Sequence, residues 1–271
     1  MIMSTPTPSL DYYHFPVMLD EITKICSPSK GGLYIDCTFG GGGYSKRFLK
    51  FSKTKVIAFD RDKFISKLAR NLEKKYPKRF FFHKKKFSEI ESVLRKSSVD
   101  VVVFDLGLSS IQLKNLKRGF SFKSKDKLDM SMGLSDISAE EVVNNFSEHK
   151  LKLIIKILGE EKDASKIAKN IIKARSKKKI RKVDQLVEII ENSKKPNYKK
   201  KINPSTKTFQ ALRIFVNKEI TELINGIINA TKVLKPGGKI LIVSFHSIED
   251  KIVKYFFSNF SSNKANPSRY L

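Results

Sequence analysis

Four consecutive glycines, Gly40 to Gly43, follow a short apolar segment and precede a short helical one. Glycines at such a turn let a ligand approach the backbone, and the helix beyond offers free N–H groups. Asp60 ends a second apolar segment, where a carboxylate can accept both hydroxyls of a ribose. These residues predict a nucleoside cofactor in a Rossmann-like crevice; a plain glycine loop is the alternative. Ser45 breaks the strict dinucleotide fingerprint GxGxxG, which disfavours NAD against S-adenosylmethionine.

A second polar group follows the apolar segment Val99–Asp105 and contains Asp105, Ser109, Ser110 and Gln112. Ligands of open α/β sheets bind beyond the carboxyl ends of the strands. An acid, two hydroxyls and an amide there could contact the adenine, the sulfonium side of the cofactor or the methyl acceptor. The structural alternative is a turn in which these side chains satisfy backbone groups. This motif alone leaves both interpretations open.

His246 follows the last apolar segment, Lys239–Phe245. A lone histidine is more often structural than functional. Its place beyond a predicted strand, among polar neighbours, supports a role facing the ligand as well as it supports a structural one.

The elements that must position these side chains follow from hydrophobic pattern. Continuous apolar segments predict strands buried on both faces, as in a parallel sheet covered by helices. Helical segments at Tyr44–Lys50 and Phe64–Lys75 separate the first three predicted strands from one another. The pattern therefore predicts a doubly wound α/β sheet. The predicted strands are residues 33–39, Val56–Asp60, Arg79–His83, Val99–Asp105 and Lys239–Phe245.

The α/β alternation stops at about residue 113. Helical periodicity replaces it at Ala139–Phe146, Leu151–Leu158, Ala164–Arg175 and Val183–Glu191, with a polar linker at Lys194–Lys201. The alternation then resumes with one long predicted helix, Phe209–Val233, stopped by Pro236-Gly237-Gly238. We therefore predict a sheet domain of residues 1–112 and 203–271, interrupted by an all-helical, Lys-rich substrate-recognition domain of residues 113–202.

The charge of the chain points to a polyanionic partner. The formal net charge is +27, and basic proteins of this kind commonly bind nucleic acid. Lysine accounts for 44 of the 54 basic residues, which is also what a lysine-biased composition would give. The distribution favours nucleic acid, because residues 150–201 hold 18 basic residues against 6 acidic ones.

Composition excludes several other classes. No apolar run reaches the roughly 18 residues that a membrane helix needs, and the N-terminus has neither signal-peptide nor transit-peptide character. We expect a cytoplasmic protein without membrane partners. Cys26 and Cys37, the only cysteines, are predicted to be small buried hydrophobes, since no CxxC or HExxH spacing for zinc occurs and no metal is expected.

Nine motifs, in order and spread over nearly the whole chain, resemble those of the RsmH (MraW) family. They include the glycine turn with its preceding AspCysThrPhe, the AspLeuGlyLeuSerSer that begins at Asp105, and the ThrPheGlnAlaLeuArgIle that begins at Thr208. The others are His14–Met18, Phe59–Asp62, Arg118–Phe122, Leu128–Met130, Gly159–Glu161 and Ser244–Asp250.

The resemblance implies a class I methyltransferase that transfers methyl from S-adenosylmethionine to the exocyclic N4 amine of a cytidine. That cytidine lies in the decoding region of small-subunit (16S) ribosomal RNA, so the implied partner is this RNA or the assembled small subunit. A helical domain inserted into the sheet is also implied. A homodimer is left open. The implied cofactor contacts are Gly42, Gly43, Tyr44, Asp60, Phe87, Asp105 and Gln112, beside Gly40 of the same turn.

The chain departs from the family pattern at three positions. Tyr44 replaces a usual His, Ser131 a usual Arg, and Asn203 a usual His before Pro. Tyr44 still offers its backbone N–H, whereas Ser131 removes a potential RNA or structural contact. The family also continues for several dozen residues beyond Leu271, so either the sequence is a fragment or the sheet edge is completed differently.

Cytosine N4 is a poor nucleophile, because its lone pair is delocalised into the ring. Acceptors bonded to the amine hydrogens would stabilise the charge that develops there. Ser109, Ser110 or Asp129 is the hypothetical acceptor, with His246 near the base and Asp105 assigned to the cofactor. The alternatives are a non-catalytic RNA-binding or ribosome-assembly factor that retains the fold, an NAD-dependent oxidoreductase, and a methyltransferase for another RNA base or for DNA.

Overall fold

Five parallel strands form the centre of the molecule. The computed structural model describes residues 16–194 and 203–260, and within them the strand order is β3-β2-β1-β4-β5. The chain reverses its direction of winding between β1 and β4, which pair from Tyr34 with Val101 to Asp36 with Val103. The carboxyl ends of those two strands therefore flank the crevice where such sheets bind ligands. The strands are β1 Gly32–Asp36, β2 Thr54–Phe59, β3 Phe80–His83, β4 Val99–Asp105 and β5 Leu234–Val243.

Helices cover both faces of the sheet, as the continuous apolar strands require. Side chains alternate across β1, so Tyr34 belongs to one buried cluster and Ile35 to the other. Helices α1 Leu19–Cys26, α2 Gly43–Leu49 and α3 Ser66–Lys75 contribute to the first cluster. Helices α10 Glu219–Val233 and α11 Ser247–Phe260 pack on the second. Cys26 and Cys37 are both buried, as the sequence predicted.

The inserted segment has a separate apolar core. Leu128, Leu151, Ile167 and Leu186 are each fully buried in it. Residues Phe209, Ala211, Leu212 and Val216 of α9 belong to the same cluster, so α9 packs with the insertion although it lies after residue 203. The helices from the crevice onward are α4 Ser110–Lys114, α5 Ala139–Asn145, α6 Glu148–Gly159, α7 Ala164–Lys177, α8 Val183–Asn192 and α9 Thr206–Asn217.

Two sequence predictions differ from the structure near the return to the sheet. The single helix expected over Phe209–Val233 is two helices, because Lys218 adopts a left-handed φ of 51° between α9 and α10. Strand β5 begins at Leu234 rather than Lys239, so Pro236 and the two glycines lie inside it. An irregularity in the pairing between Val99 and Val101 accommodates them, as expected of Pro and Gly in an edge strand.

No helix in the described part of the chain is both long and apolar enough to cross a membrane. Most of the predicted linker at Lys194–Lys201 lies outside the described residues.

Candidate active site

A cavity of about 520 Å³ opens at the carboxyl ends of β1, β2, β4 and β5. Nine of the twelve candidate site residues line it, although they come from segments spread over 73 residues of chain, from Gly40 to Gln112. Gly42, Asp129 and His246 are not among its lining residues. The nine are Gly40, Gly43, Tyr44, Asp60, Phe87, Asp105, Ser109, Ser110 and Gln112.

The glycine turn is built for close approach. Gly40 has a φ of 49°, and a Cβ there would lie 3.3 Å from the Cβ of Ser109 across the cavity. Gly42 shapes the turn from behind, since its φ is 74° and a Cβ would strike the Phe39 ring at 2.8 Å. Side chains at these positions would therefore narrow the cradle or strain the turn.

A buried carboxylate to which the sequence analysis gave no separate role anchors this turn. Asp36 is 1% exposed, and its Oδ2 accepts hydrogen bonds from the hydroxyl of Ser45 at 2.6 Å and from the Ser45 backbone N–H at 3.2 Å. Ser45, which breaks the dinucleotide fingerprint, thus fixes the first turn of α2 to the end of β1. Burial raises the pKa of Asp36, and these hydrogen bonds partly oppose that shift.

Asp60 is held rigidly at the end of β2. Its Oδ2 accepts from the backbone N–H of Gly40 and its Oδ1 from that of Asp62, both at 2.8 Å. Each carboxylate oxygen keeps a second lone pair for a ribose hydroxyl. Burial raises the pKa of Asp60 to about 6, so the group is ionised, and acts only as an acceptor, at neutral pH.

Asp105 presents an unsatisfied acceptor to the cavity. Its backbone N–H donates to the hydroxyl of Thr38 at 2.7 Å, which fixes the end of β4 beside the end of β1. Its Oδ1 is buried and has no hydrogen-bond partner among the described residues. Burial, with a smaller contribution from the charge of Asp36, raises the pKa of Asp105 to about 7. An orphaned carboxylate in a cavity is a common sign of a ligand or reaction site.

The raised pKa of Asp105 predicts that the stability of the folded protein depends on pH. Because the folded protein binds the Asp105 proton more tightly than the unfolded chain, this group costs increasing stability as pH rises from about 4 to about 7. Asp105→Asn removes that cost, so its melting temperature should exceed that of the wild type by more at pH 8 than at pH 5. We expect the gain in melting temperature of Asp105→Asn over the wild type to be larger at pH 8 than at pH 5 by at least about 3 °C, equivalent to roughly 1 kcal/mol. Calorimetry at the two pH values measures it, and equal differences would contradict the assigned pKa.

The residues after Asp105 cap a short helix. Ser109 and Gln112 form a reciprocal capping box at the start of α4, the structural alternative that the sequence left open. The Gln112 amide is engaged at both ends, since its Oε1 accepts from the Ser109 N–H at 2.9 Å and its Nε2 donates to Asp62 at 2.9 Å. Gln112 is therefore held as a connector between α4 and the β2 loop, with one edge on the cavity.

Asp62 is the centre of a buried network that joins the cavity to the insertion. The Arg118 guanidinium pairs with Asp62, and both side chains are almost fully buried. Arg118 also donates to the Ser131 carbonyl at 2.7 Å and lies over the rings of Phe64 and Phe120. Sequence motifs contained Asp62 and Arg118 but gave neither a role, since nothing local shows that residues 56 positions apart meet.

Phe87 follows β3 and lines the cavity with its ring against Phe104, at 5.3 Å between centroids in an edge-to-face arrangement. Gly226 of α10 makes room for it, since a Cβ there would lie 2.5 Å from the Phe87 ring. The ring is thus fixed from two sides, which suits it to contact a planar base.

Two of the predicted catalytic residues, Asp129 and His246, do not line the cavity. Asp129 is in the insertion, where its carbonyl accepts from the Ala139 N–H at 2.8 Å. The side chain of His246 is 9% exposed, and its Nε2 lies 3.2 Å from Oε1 of Glu249. Burial raises the pKa of Glu249, but the contact with His246 and the hydrogen bond from the Phe245 N–H outweigh it. The pKa of Glu249 is therefore below its usual value.

Charged residues to which the sequence analysis gave no role also line the cavity, among them Arg213, Glu219 and Glu249. Arg213 of α9 pairs with both carboxylate oxygens of Glu219, at 2.9 and 2.8 Å. Ligand atoms of Glu219, His246 and Glu249 lie within 4.8 Å of one another, an arrangement that resembles a metal site. The guanidinium already neutralises Glu219, so a cation would have to displace it, and we assign no metal.

The sheet order, the glycine turn and the carboxylates at the ends of β2 and β4 define the class of the protein: an S-adenosylmethionine-dependent methyltransferase of the class I, Rossmann-like type. The cradle at Gly40 and the unpartnered Asp105 oxygen fit such a cofactor. A family model described as the MraW methylase family matches residues 11–270, and the chain belongs to that family.

Curated relatives match over most of their length. A protein of Ehrlichia canis (strain Jake) is 46% identical over 255 residues, covering 93% of this chain and 86% of the relative. A protein of Neorickettsia sennetsu (strain ATCC VR-367 / Miyayama) is 44% identical over 254 residues, with the same coverage. Both are named ribosomal RNA small subunit methyltransferase H. A solved putative methyltransferase from Escherichia coli, yhhF, is 14% identical and superposes with a TM-score of 0.31 over 41% of this chain and 62% of its own, too slight a likeness for argument.

Proposed function

We propose that the protein transfers a methyl group from S-adenosylmethionine to the N4 amine of a cytidine in the decoding region of small-subunit ribosomal RNA. The observation that carries the proposal is the match to the MraW family over residues 11–270, together with a cavity lined by the Asp60 carboxylate, which is bonded to the glycine turn, and by Asp105, whose Oδ1 is unpartnered among the described residues. The names of the relatives support the RNA substrate. The cytoplasm, where small subunits are assembled, is the proposed location.

The bound cofactor supplies a methyl group that is already activated as a sulfonium. The chain's residues bind and orient: Asp60 accepts the ribose hydroxyls, the Phe87 ring contacts the adenine, and Gly40 and Gly43 let the cofactor approach the backbone. The hydrogen bond from the Gly40 N–H fixes the Asp60 carboxylate, and the bond from the Asp105 backbone N–H to Thr38 fixes the end of β4, so little rearrangement of these segments is needed on binding.

The direct test uses purified protein, labelled S-adenosylmethionine and small ribosomal subunits from cells that lack this gene. Incorporation of label, with N4-methylcytidine in the digested RNA at one decoding-region position, is the expected result. Cofactor binding without any incorporation would favour a non-catalytic assembly factor. Label in a different nucleoside would keep the methyltransferase and overturn the N4 assignment.

The insertion offers a surface for the RNA backbone. Its exposed residues Lys178, Lys179, Arg181 and Lys182 line a shallow depression beside Gln185, and none of the four forms a salt bridge within the described residues. Free cationic side chains on one surface attract phosphates without sequence preference. We therefore propose the insertion, residues 113–202, as the part that grips RNA.

Replacing these four residues by alanine should weaken RNA binding and flatten its salt dependence. Each lost phosphate contact lowers the slope of log K against log[salt] by about 0.7–0.9, so the slope should fall by about 3. Filter binding of a decoding-region RNA at several salt concentrations measures it. The matched control replaces Lys67, Arg70, Lys74 and Lys78, exposed basic residues in and beside α3. An equal loss in both variants would show that only net charge matters.

A further inference from the structure

One face of helix α10 packs along the segment that follows β3. The backbone of Gly226 lies against the Phe87 ring, since a Cβ there would be 2.5 Å from it. One turn later, the side-chain amide of Asn229 donates to the Ser88 carbonyl at 2.7 Å. Residues four apart lie on the same face of a helix, so Glu222, one turn before Gly226, belongs to this face. Glu222 and Phe87 both line the cavity, and the helix therefore brings a carboxylate close to the ring.

Glu222 presents an unused acceptor at the cavity. The residue is only 8% exposed, and its Oε2 is buried without a hydrogen-bond partner among the described residues. Glutamate is almost never buried unless it is paired, and buried polar atoms nearly always have a hydrogen-bond partner. A buried carboxylate oxygen that lacks one, on the wall of a ligand cavity, indicates a donor on the ligand.

Neighbouring cations account for the charge of Glu222 but not for its free oxygen. Its Oε1 lies 3.8 Å from Nζ of Lys86, close enough for an ion pair and too far for a hydrogen bond. Burial lowers the pKa of Arg61, and the charge of Glu222 is the largest effect that opposes this shift. A purely structural ion pair therefore explains why a negative charge is tolerated here, whereas the hydrogen-bonding capacity of Oε2 stays unused.

The chemistry of adenine determines which group can meet this oxygen. Asp60, after β2, is suited to the ribose, and Phe87, after β3, to the base. The exocyclic N6 amine is the hydrogen-bond donor of the base, while its ring nitrogens are acceptors. A carboxylate only accepts. The N6 amine is therefore the part of an adenine at Phe87 that Glu222 can bind.

We propose that Glu222 is a cofactor-binding residue that selects adenine: its Oε2 accepts a hydrogen bond from the N6 amine of the base that contacts Phe87. A base with a carbonyl oxygen at that position would set two acceptors against each other and leave both unpaired. The inference rests on the S-adenosylmethionine of the proposed function and not on its RNA substrate.

The experiment compares S-adenosylhomocysteine with S-inosylhomocysteine, which carries oxygen in place of the N6 amine. Titration calorimetry without RNA measures both affinities. Wild type should bind the adenosyl compound about 10- to 150-fold more tightly, the range for one hydrogen bond to a charged group. The Glu222→Gln amide can donate to the oxygen or accept from the amine, so the ratio of affinities should fall to about threefold or less. Glu222→Ala, which has no acceptor, should lower the ratio in the same way.

Glu91→Gln is the matched control. Glu91 pairs with Lys232 of α10 at 2.9 Å across the same helix contact but does not line the cavity, so its ratio should equal that of the wild type. An unchanged ratio in both Glu222 variants would overturn the inference, as would a wild type that binds the two compounds equally. The expected ratios together with no methylation of RNA would contradict the proposed function and support the inference.

Discussion

Asp60→Ala should lose at least about 100-fold in affinity for both S-adenosylmethionine and S-adenosylhomocysteine. Two hydrogen bonds from ribose hydroxyls to a carboxylate contribute about 1.5–3 kcal/mol each, and every 1.4 kcal/mol is a factor of ten in affinity. The substitution also leaves the N–H groups of Gly40 and Asp62 without their acceptor. The glycine turn and the β2 loop would therefore loosen together.

Asp60→Asn is expected to be almost as damaging. One carboxylate oxygen becomes an NH₂ group, which would face the N–H of either Gly40 or Asp62. Calorimetric titration of each ligand measures the losses. Because Asp60→Asn leaves one of these backbone N–H groups without its acceptor, a thermal melt at pH 8 accompanies each titration, so that weak binding is compared only at temperatures where the variant is folded.

A carboxylate at the opposite end of the sheet provides the control. Asp100, at the start of β4, accepts from the Leu33 N–H at 2.7 Å and pairs with Lys235, so Asp100→Ala also strips a backbone N–H of its acceptor. Cofactor affinity should remain within about threefold of the wild type, since Asp100 does not line the cavity. If Asp60→Ala binds as tightly as Asp100→Ala, Asp60 does not hold the ribose.

The sheet could be predicted because its signals are local. Strand β4 was predicted at its observed bounds, Val99–Asp105, since an apolar run closed by an acid is distinct from its surroundings. Gly40 and Asp60 were predicted to share one ligand, and a direct hydrogen bond joins them. The break at Lys218 could not be foreseen, because apolar periodicity continues across it and only the backbone conformation changes.

The parts of the site that escaped prediction depend on contacts between distant segments. Phe245 is an ordinary aromatic residue in the sequence, and its place opposite Gly107 follows from the pairing of β4 with β5. His246 was singled out for its place after the last strand, whereas in the structure its Nε2 lies 3.2 Å from Glu249 and its neighbour Phe245 lines the cavity. Asp129 was chosen for its charge, but the chain around it turns into the insertion.

The network around Asp62 joins the loop after β2, the start of α4 and the insertion. Asp62 donates its N–H to Asp60, binds the Gln112 amide that caps the loop after Asp105, and pairs with Arg118 of the insertion. A shift of the insertion would therefore reach the Asp60 carboxylate and the capped start of α4 through hydrogen bonds rather than through the apolar core.

Asp62→Ala should destabilise the folded protein by about 3–5 kcal/mol, the cost of leaving one partner of a buried ion pair uncompensated. It would strand the Arg118 guanidinium, which is 6% exposed, and remove the acceptor of the Gln112 amide and of the Phe64 N–H. Urea unfolding at constant pH, with the m-value checked for a change in cooperativity, measures the loss. Asp136→Ala, which breaks the exposed pair with Lys218, should leave the midpoint unchanged.

The double variant Asp62→Ala/Arg118→Met distinguishes an unpaired charge from a simple loss of packing. Methionine fills part of the space between Phe64 and Phe120 without a charge, so the double variant should be more stable than Asp62→Ala alone. A buried pair replaced by apolar groups is often close to neutral, whereas a half-pair is not. If the two losses simply add, Arg118 is not held by Asp62, and the loop after β2 is joined to the insertion by packing and by bonds such as that from Arg61 to the Leu134 carbonyl.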